Sequence, residues 1–164
     1  MSTNLMKGKR GLIMGLANDK SIAWGIAKAL GDAGAELAFS YQGDALKKRV
    51  DPLAESLGSK IVLPCDVSDM DSVDALFASL EKTWGSLDFI VHAIGFSDKN
   101  ELRGRYVDTS RENFLMSMDI SVYSFTAVVK RAAAMMASGG SCLTLTYYGA
   151  EKVMPHYNVI GVAK

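Results

Sequence analysis

Lys9-Arg10-Gly11-Leu12-Ile13-Met14-Gly15 is a short apolar run closed by glycine, and it leads straight into Leu16-Ala17-Asn18-Asp19-Lys20-Ser21-Ile22-Ala23-Trp24-Gly25. The run reads as a buried strand. Beyond it, residues 22–33 carry apolar side chains at helical spacing, and Gly34 follows as a stop signal. A buried strand turning at glycine into a helix is the first unit of a wound α/β fold. The remaining sequence is read to see whether the unit recurs.

It does. Residues 36–41 (ELAFSY) form a second apolar strand run. Residues 45–57 are helical in pattern, with Pro52 marking a kink or break. Residues 60–67 (KIVLPCDV) predict a third strand. Residues 70–84 predict a third helix that Ser68 or Asp69 can cap. Residues 87–94 (LDFIVHAI) predict a fourth strand. Residues 97–106 are polar, mixed in charge and loop-like. A long helix opens at Thr109 or Ser110, runs to about Ala137 and ends at Gly139-Gly140. Residues 141–146 (SCLTLT) predict a fifth strand. Strands alternating with helices predict an α/β fold: a doubly wound parallel sheet of Rossmann type with right-handed crossovers, covered on both faces. No repeat, low-complexity segment or linker interrupts it, so residues 1–164 are expected to form one dinucleotide-binding domain.

Composition agrees. The 164 residues are 49% hydrophobic, as in a globular chain and not a disordered one. Eighteen basic and eighteen acidic residues cancel, giving no ground for nucleic acid or an anionic membrane as partner. Apolar stretches are strand-sized, too short to span a bilayer. Met1-Ser2-Thr3-Asn4-Leu5-Met6-Lys7 lacks the apolar run of a signal peptide. Cys65 and Cys142 lie in strand-like segments and read as buried free thiols. These features point to a soluble cytosolic protein.

The turn after the first strand lies where doubly wound folds bind dinucleotides, at the carboxyl end of the strand. Gly15 permits a tight turn and close backbone approach. Ser21 can cap the next helix and hydrogen-bond a phosphate oxygen. The helix N-terminus offers unpaired N–H groups to a pyrophosphate, and Gly25 lets helix and strand pack closely. An ordinary strand–turn–helix corner would use the same residues, so the loop alone does not decide.

The loop Gly15-x5-Ser21-Ile22-Ala23-x-Gly25 resembles that of the divergent short-chain dehydrogenase/reductases, and in particular the bacterial NADH-dependent enoyl-acyl-carrier-protein reductases. The resemblance continues along the chain. Ser40-Tyr41-Gln42 matches the family's adenosine-ribose position. Cys65-Asp66-Val67 matches its adenine pocket, with Asp66 accepting from the adenine amino group. His92-Ala93-Ile94-Gly95 stands where ordinary short-chain dehydrogenases carry Asn-Asn-Ala-Gly, with Ile94 and Gly95 under the cofactor. The implied cofactor-binding set is Gly15, Ser21, Ile22, Gln42, Asp66, Val67, Ile94, Gly95 and Lys164. Enzymes that prefer NADPH place a cation near the end of the second strand. Here Gln42 is neutral and Asp44 follows it, while Lys47 and Lys48 are expected on the solvent face of the next helix, so NADH is favoured.

Tyr157 and Lys164 are seven residues apart, which on a helix turns both side chains to one face. Half-buried packing of Tyr157 and a solvated Lys164 would explain them equally well if they stood alone. Ordinary short-chain dehydrogenases use a four-residue spacing, and Tyr-x6-Lys resembles the enoyl reductases. Tyr147, ten residues before Tyr157, matches their second tyrosine. The resemblance implies hydride delivery from NADH to the β-carbon of a trans-2-enoyl thioester. It assigns Tyr157 to stabilise the enolate oxygen, Lys164 to hold the nicotinamide ribose, and Tyr147 to line the acyl pocket.

Thr144 occupies the position of the ordinary catalytic serine, so a ketone or alcohol oxidoreductase stays open. A non-catalytic nucleotide-binding protein is the third reading. Phe96 and residues 97–106 fit the family's substrate side. His92 and His156 read as structural, and no spacing suggests a metal. The resemblance further implies acyl-carrier protein as partner and a homotetramer. Met116, Met118, Val122, Val128, Val129, Met135 and Met136 on the long helix would serve either a subunit interface or a simple core. It also implies that the C-terminal strands are missing after Lys164, so the chain is expected to be a fragment with an exposed fifth strand, low stability and low activity.

Overall fold

A computed structural model describes residues 4–164. The opening segment examined for a signal peptide lies partly outside the described residues. Five strands, β1 (Arg10–Met14), β2 (Glu36–Tyr41), β3 (Ile61–Pro64), β4 (Phe89–His92) and β5 (Ser141–Thr144), form one sheet in the order β3-β2-β1-β4-β5. Every pair is parallel. The order reverses beside β1, so the clefts above β1 and β4 open at the carboxyl ends of the strands, the usual place for a ligand in such a sheet.

The strands alternate faces with a period of two, and the two cores show it. Ile13, Phe39, Phe89 and Val91 pack on one face against α1 (Ile22–Asp32) and α2 (Gly43–Ser56), through Ala23, Ala27, Val50 and Ala54. Leu12, Met14, Ala38 and Ile90 pack on the other against α3 (Met70–Trp84) and α5 (Ser124–Met135), through Val73, Leu76, Leu80, Val128 and Ala132. Asp69 caps α3 by accepting from the Asp71 amide, and Gly85 ends it in the left-handed conformation. Pro52 does not break α2, because Val50 and Ala54 on either side of it are fully buried against the sheet and hold the turn in place.

The long helix differs from a uniform one. It runs as α4 (Arg111–Met118), a π-helical turn (Asp119–Tyr123) and then α5. Ser110 caps α4 by accepting from the Asn113 amide. The wide turn coincides with a buried polar stripe of Asn113, Ser117, Ser121 and Ser124, and π turns of this kind concentrate at functional sites. α6 (Asn158–Ala163) follows β5 and a 3₁₀ turn at Tyr148–Ala150.

Two expectations fail here. Cys65 is buried, but Cys142 is exposed, because every residue of β5 is exposed at the sheet edge. Gly25 is not needed for packing: a methyl group added there would meet no atom within 4 Å. No helix among the described residues is long and apolar enough to cross a membrane.

Candidate functional site

Gly15 ends β1 with φ +89°, and a Cβ at that position would lie 2.1 Å from the Ala93 carbonyl oxygen. Only glycine lets the β1 turn cross so close to the chain leaving β4. The approach opens a cleft of about 260 Å³ above the sheet. Six of the sequence-derived cofactor residues line it together: Gly15, Gln42, Asp66, Val67, Ile94 and Gly95. Cys65 lines it as well, its thiol pushed up to about 11 by burial and then by the nearby Asp66 carboxylate.

Asp66 is held as an anion. Its carboxylate accepts from the Ser68 hydroxyl (2.6 Å), the Ser68 amide (2.9 Å) and Gln42 Nε2 (2.8 Å). The Ser68 bonds keep its pKa below the ordinary carboxylate range, with Gln42 adding to them and partial burial opposing. A fixed acceptor in the lining of the cleft suits an amino group. Lys47, next along α2, is already paired with Asp51 and lies 5.6 Å above the Tyr41 ring, so it leans on the cleft wall more than a solvent-facing residue would.

Ser21 and Ile22 stand apart from these lining residues. Ser21 occupies the N-cap of α1 but makes no side-chain cap, because its hydroxyl donates to the Asn18 carbonyl (2.6 Å). Ile22 is 68% exposed. The first amides of α1 therefore lack a side-chain cap and remain available to an anion. The cleft, the glycine turn that a side chain would fill and this uncapped helix end together fit a dinucleotide.

Lys164 reaches the Ile94–Gly95 wall of the cleft. Lys164 Nζ donates to the Ile94 carbonyl (2.8 Å) and the Ser121 carbonyl (3.3 Å), and its Cε sits 3.2 Å from where a Cβ on Gly95 would be. Burial lowers its pKa below the ordinary lysine value. Tyr147 and Tyr157 stack with ring centroids 4.3 Å apart and planes 19° from parallel. The Tyr147 hydroxyl is shifted upward by desolvation and then by its hydrogen bond with Tyr157.

Contrary to the seven-residue spacing, Tyr157 and Lys164 do not share one helix. Tyr157 is not in the helix but precedes it, with φ −120° and ψ −21°, and α6 begins only at Asn158. His156 (φ 64°) and Asn158 (φ 28°) on either side take left-handed backbone, which aims the Tyr157 ring at Tyr147 and away from the helical track. Gly149 and Gly161 let the 3₁₀ turn and α6 meet: a Cβ on Gly161 would lie 3.0 Å from the Gly149 carbonyl oxygen.

Sequence reading missed the buried polar stripe that ties these parts together. Ser121 Oγ accepts from the Phe96 amide (2.9 Å) and lies 3.0 Å from the Phe96 carbonyl oxygen. Ser124 donates to the Ile120 carbonyl (2.6 Å) and so accepts from His92 Nε2 (2.8 Å). Thr144 Oγ1 lies 3.2 Å from His92 Nδ1 and 3.3 Å from the His92 carbonyl oxygen. His92 is fully buried and neutral, its pKa pushed to about 4 by burial and then by the Lys164 charge. The signal was present in the sequence, as polar residues at positions 113, 117, 121 and 124 inside an apolar helix.

A wound parallel sheet with its cleft at the carboxyl ends of β1 and β4 places the chain in the Rossmann-type class of α/β folds. Comparison with known proteins narrows it. The family model for Enoyl-(Acyl carrier protein) reductase matches residues 15–164, and the chain belongs to that family. It is 68% identical over 99% of its length to Enoyl-[acyl-carrier-protein] reductase [NADH] 1 of Rhizobium meliloti (strain 1021), covering 60% of that protein. It is 53% identical over its whole length to the corresponding NADH enzyme of Rickettsia typhi, covering 63% of it. A crystal structure of the Anaplasma phagocytophilum reductase in complex with NAD superposes with a TM-score of 0.95 at 66% identity, over 98% of this chain and 61% of that one. The chain spans about three-fifths of the length of the curated relatives it matches.

Proposed function

We propose that the protein carrying this chain reduces trans-2-enoyl-acyl-carrier-protein thioesters to saturated acyl thioesters with NADH, in fatty-acid synthesis. The observation that carries the reading is the Lys164 ammonium fixed between the Ile94 and Ser121 carbonyls at the Ile94–Gly95 wall of the cleft, in a chain that also stacks Tyr147 on Tyr157. NADH, when bound, supplies the hydride for the β-carbon of the enoyl group. The protein supplies position and charge. The cleft residues Gly15, Gln42, Asp66, Val67, Ile94 and Gly95, with the α1 N-terminus at Ser21 and Ile22, hold the dinucleotide. Tyr157 donates its hydroxyl proton in a hydrogen bond to the thioester oxygen as negative charge develops there, and Tyr147 orients Tyr157 and borders the acyl chain. Lys164 holds the nicotinamide ribose, and its charge favours the anionic oxygen nearby. Neutral Gln42, with Lys47 already paired, supports NADH over NADPH.

The engagement of Thr144 with His92 supports enoyl reduction over ketone reduction, because that hydroxyl is drawn toward the buried imidazole. Exposed Leu115, Val122 and Tyr123 on the α4–α5 face support a homotetramer, and the family's role supports a cytoplasmic location. The test is NADH consumption by the full-length gene product with a trans-2-enoyl thioester and, separately, a 3-ketoacyl thioester. Turnover of the first alone is expected, and Lys164→Ala is expected to weaken NADH binding. Turnover of the ketone alone, or NADH binding without any turnover, would overturn the reading.

A further inference from the structure

The chain leaving β4 does not fold back on the sheet. It is hydrogen-bonded step by step to the polar stripe of the neighbouring helix. Ser121 takes the Phe96 backbone, and Asn113 Oδ1 accepts from Ser97 Oγ (3.1 Å) and the Asp98 amide (2.9 Å). The Glu101 carboxylate accepts from both the Ser110 amide and its hydroxyl, each at 2.8 Å, which ties the loop to the start of α4. On the opposite side a single side chain closes the loop. Asn158 Nδ2 donates to the Glu101 carbonyl (3.1 Å) and the Gly104 carbonyl (3.4 Å). Asn158 is also the residue after Tyr157, and its φ of 28° is a backbone conformation that a non-glycine residue keeps only when its surroundings hold it. Asparagine tolerates this region better than most residues.

We propose that Asn158 is a positioning residue with two separable parts: its side-chain amide fastens the open side of the loop over residues 97–104, and its left-handed backbone aims the Tyr157 ring. The inference rests on the enoyl-reductase reading for its kinetic consequence, but not for its structural one. With the loop held in advance, the substrate does not have to order it on binding. Without the amide, the ordering falls on the binding step, so KM rises while the chemistry at Tyr157 is kept. Glycine at 158 removes the donor and keeps access to left-handed backbone without strain. Alanine removes the donor and also strains the backbone beside Tyr157.

The experiment uses the full-length gene product and compares wild type, Asn158→Gly and Asn158→Ala. Trypsin cleavage at the exposed Arg103, read by mass spectrometry, reports loop opening without any substrate. In Asn158→Gly, cleavage at Arg103 is expected to quicken about fivefold, the effect of losing one net hydrogen bond. KM for a trans-2-enoyl thioester is expected to rise about fivefold, with kcat within about twofold and NADH affinity unchanged. In Asn158→Ala, kcat is expected to fall as well. Unchanged cleavage and KM in Asn158→Gly, or equal loss of kcat in both variants, overturns the proposal. If the glycine variant does not fold, Asn158→Asp, which keeps the shape but cannot donate, is read by the same criteria. If wild type turns over no enoyl thioester, the functional reading falls, and cleavage at Arg103 alone decides the positioning role.

Discussion

The two sides of the cleft are built in different ways. On the nucleotide side, the lining residues sit at the ends of β1, β2, β3 and β4, and their positions follow from strand register and from helices packed on both faces. On the tyrosine side, Tyr147, Tyr157 and Lys164 come from loops and the short α6. They are held by side-chain hydrogen bonds, a ring stack and left-handed backbone. The cleft rests on regular elements, whereas Tyr147, Tyr157 and Lys164 rest on a few specific contacts. Damage to one side should therefore leave the other largely intact.

Tyr157→Phe separates the two sides most sharply. The ring stack on Tyr147 survives and only the hydroxyl is lost. Turnover of a trans-2-enoyl thioester by the full-length gene product is expected to fall about a hundred- to thousandfold, as for removal of one oxyanion donor. The NADH dissociation constant, measured by fluorescence titration, is expected to stay within about twofold, since Tyr157 lies outside the lining of the nucleotide cleft. A parallel loss of NADH affinity would show that the two sides are not separable.

The same division explains what the sequence disclosed. That Gly15, Gln42, Asp66, Val67, Ile94 and Gly95 meet in one cleft was legible because each stands at a fixed place relative to a strand, and strands were legible from apolar runs. The bounds of β2 and α3 coincide with those read from the pattern. Ser21 was placed correctly at the helix start, yet its hydroxyl turned to Asn18, a local competition that no periodicity reveals. Cys142 looked buried because its strand was apolar, but burial depends on what covers a sheet edge. Tyr157 was singled out by its spacing to Lys164, but the geometry behind that spacing differs. Seven residues implied two helical turns, whereas the chain reaches the site through His156 and Asn158 in left-handed conformation.

His92 joins the two sides, and acid tests the joint. Its native pKa lies near 4, against about 6.5 for an imidazole in water. The shift is downward, so the stability it contributes is complete above about pH 6.5, where native and unfolded chains are both neutral. Between those values the unfolded chain binds a proton that the buried native imidazole refuses. Stability should therefore fall as pH drops from about 6.5 toward 4, by on the order of 3 kcal/mol. Asp66 and Asp88, whose pKa values are lowered, lose their contribution only below that window. Urea denaturation at pH 7 and pH 4.5 measures the drop. His92→Gln, which can still donate to Ser124 and accept from Thr144, is expected to flatten it. An undiminished slope in that variant would place the acid sensitivity elsewhere.

A milder change probes the cleft side. Asp69→Ala removes the cap of α3, where the Asp69 carboxylate accepts from the Asp71 amide at 3.0 Å, and should cost about 1 kcal/mol of stability in denaturant unfolding. α3 is still anchored by Val73, Leu76 and Leu80 in the core, and the Asp66 amide still donates to Ser72 Oγ (2.9 Å). The loop bearing Asp66 and Val67 therefore keeps its place, and NADH affinity should change less than about twofold. A tenfold loss of affinity would mean that the nucleotide side also hangs on single contacts. Regular elements would then give it no more tolerance than the tyrosine side has.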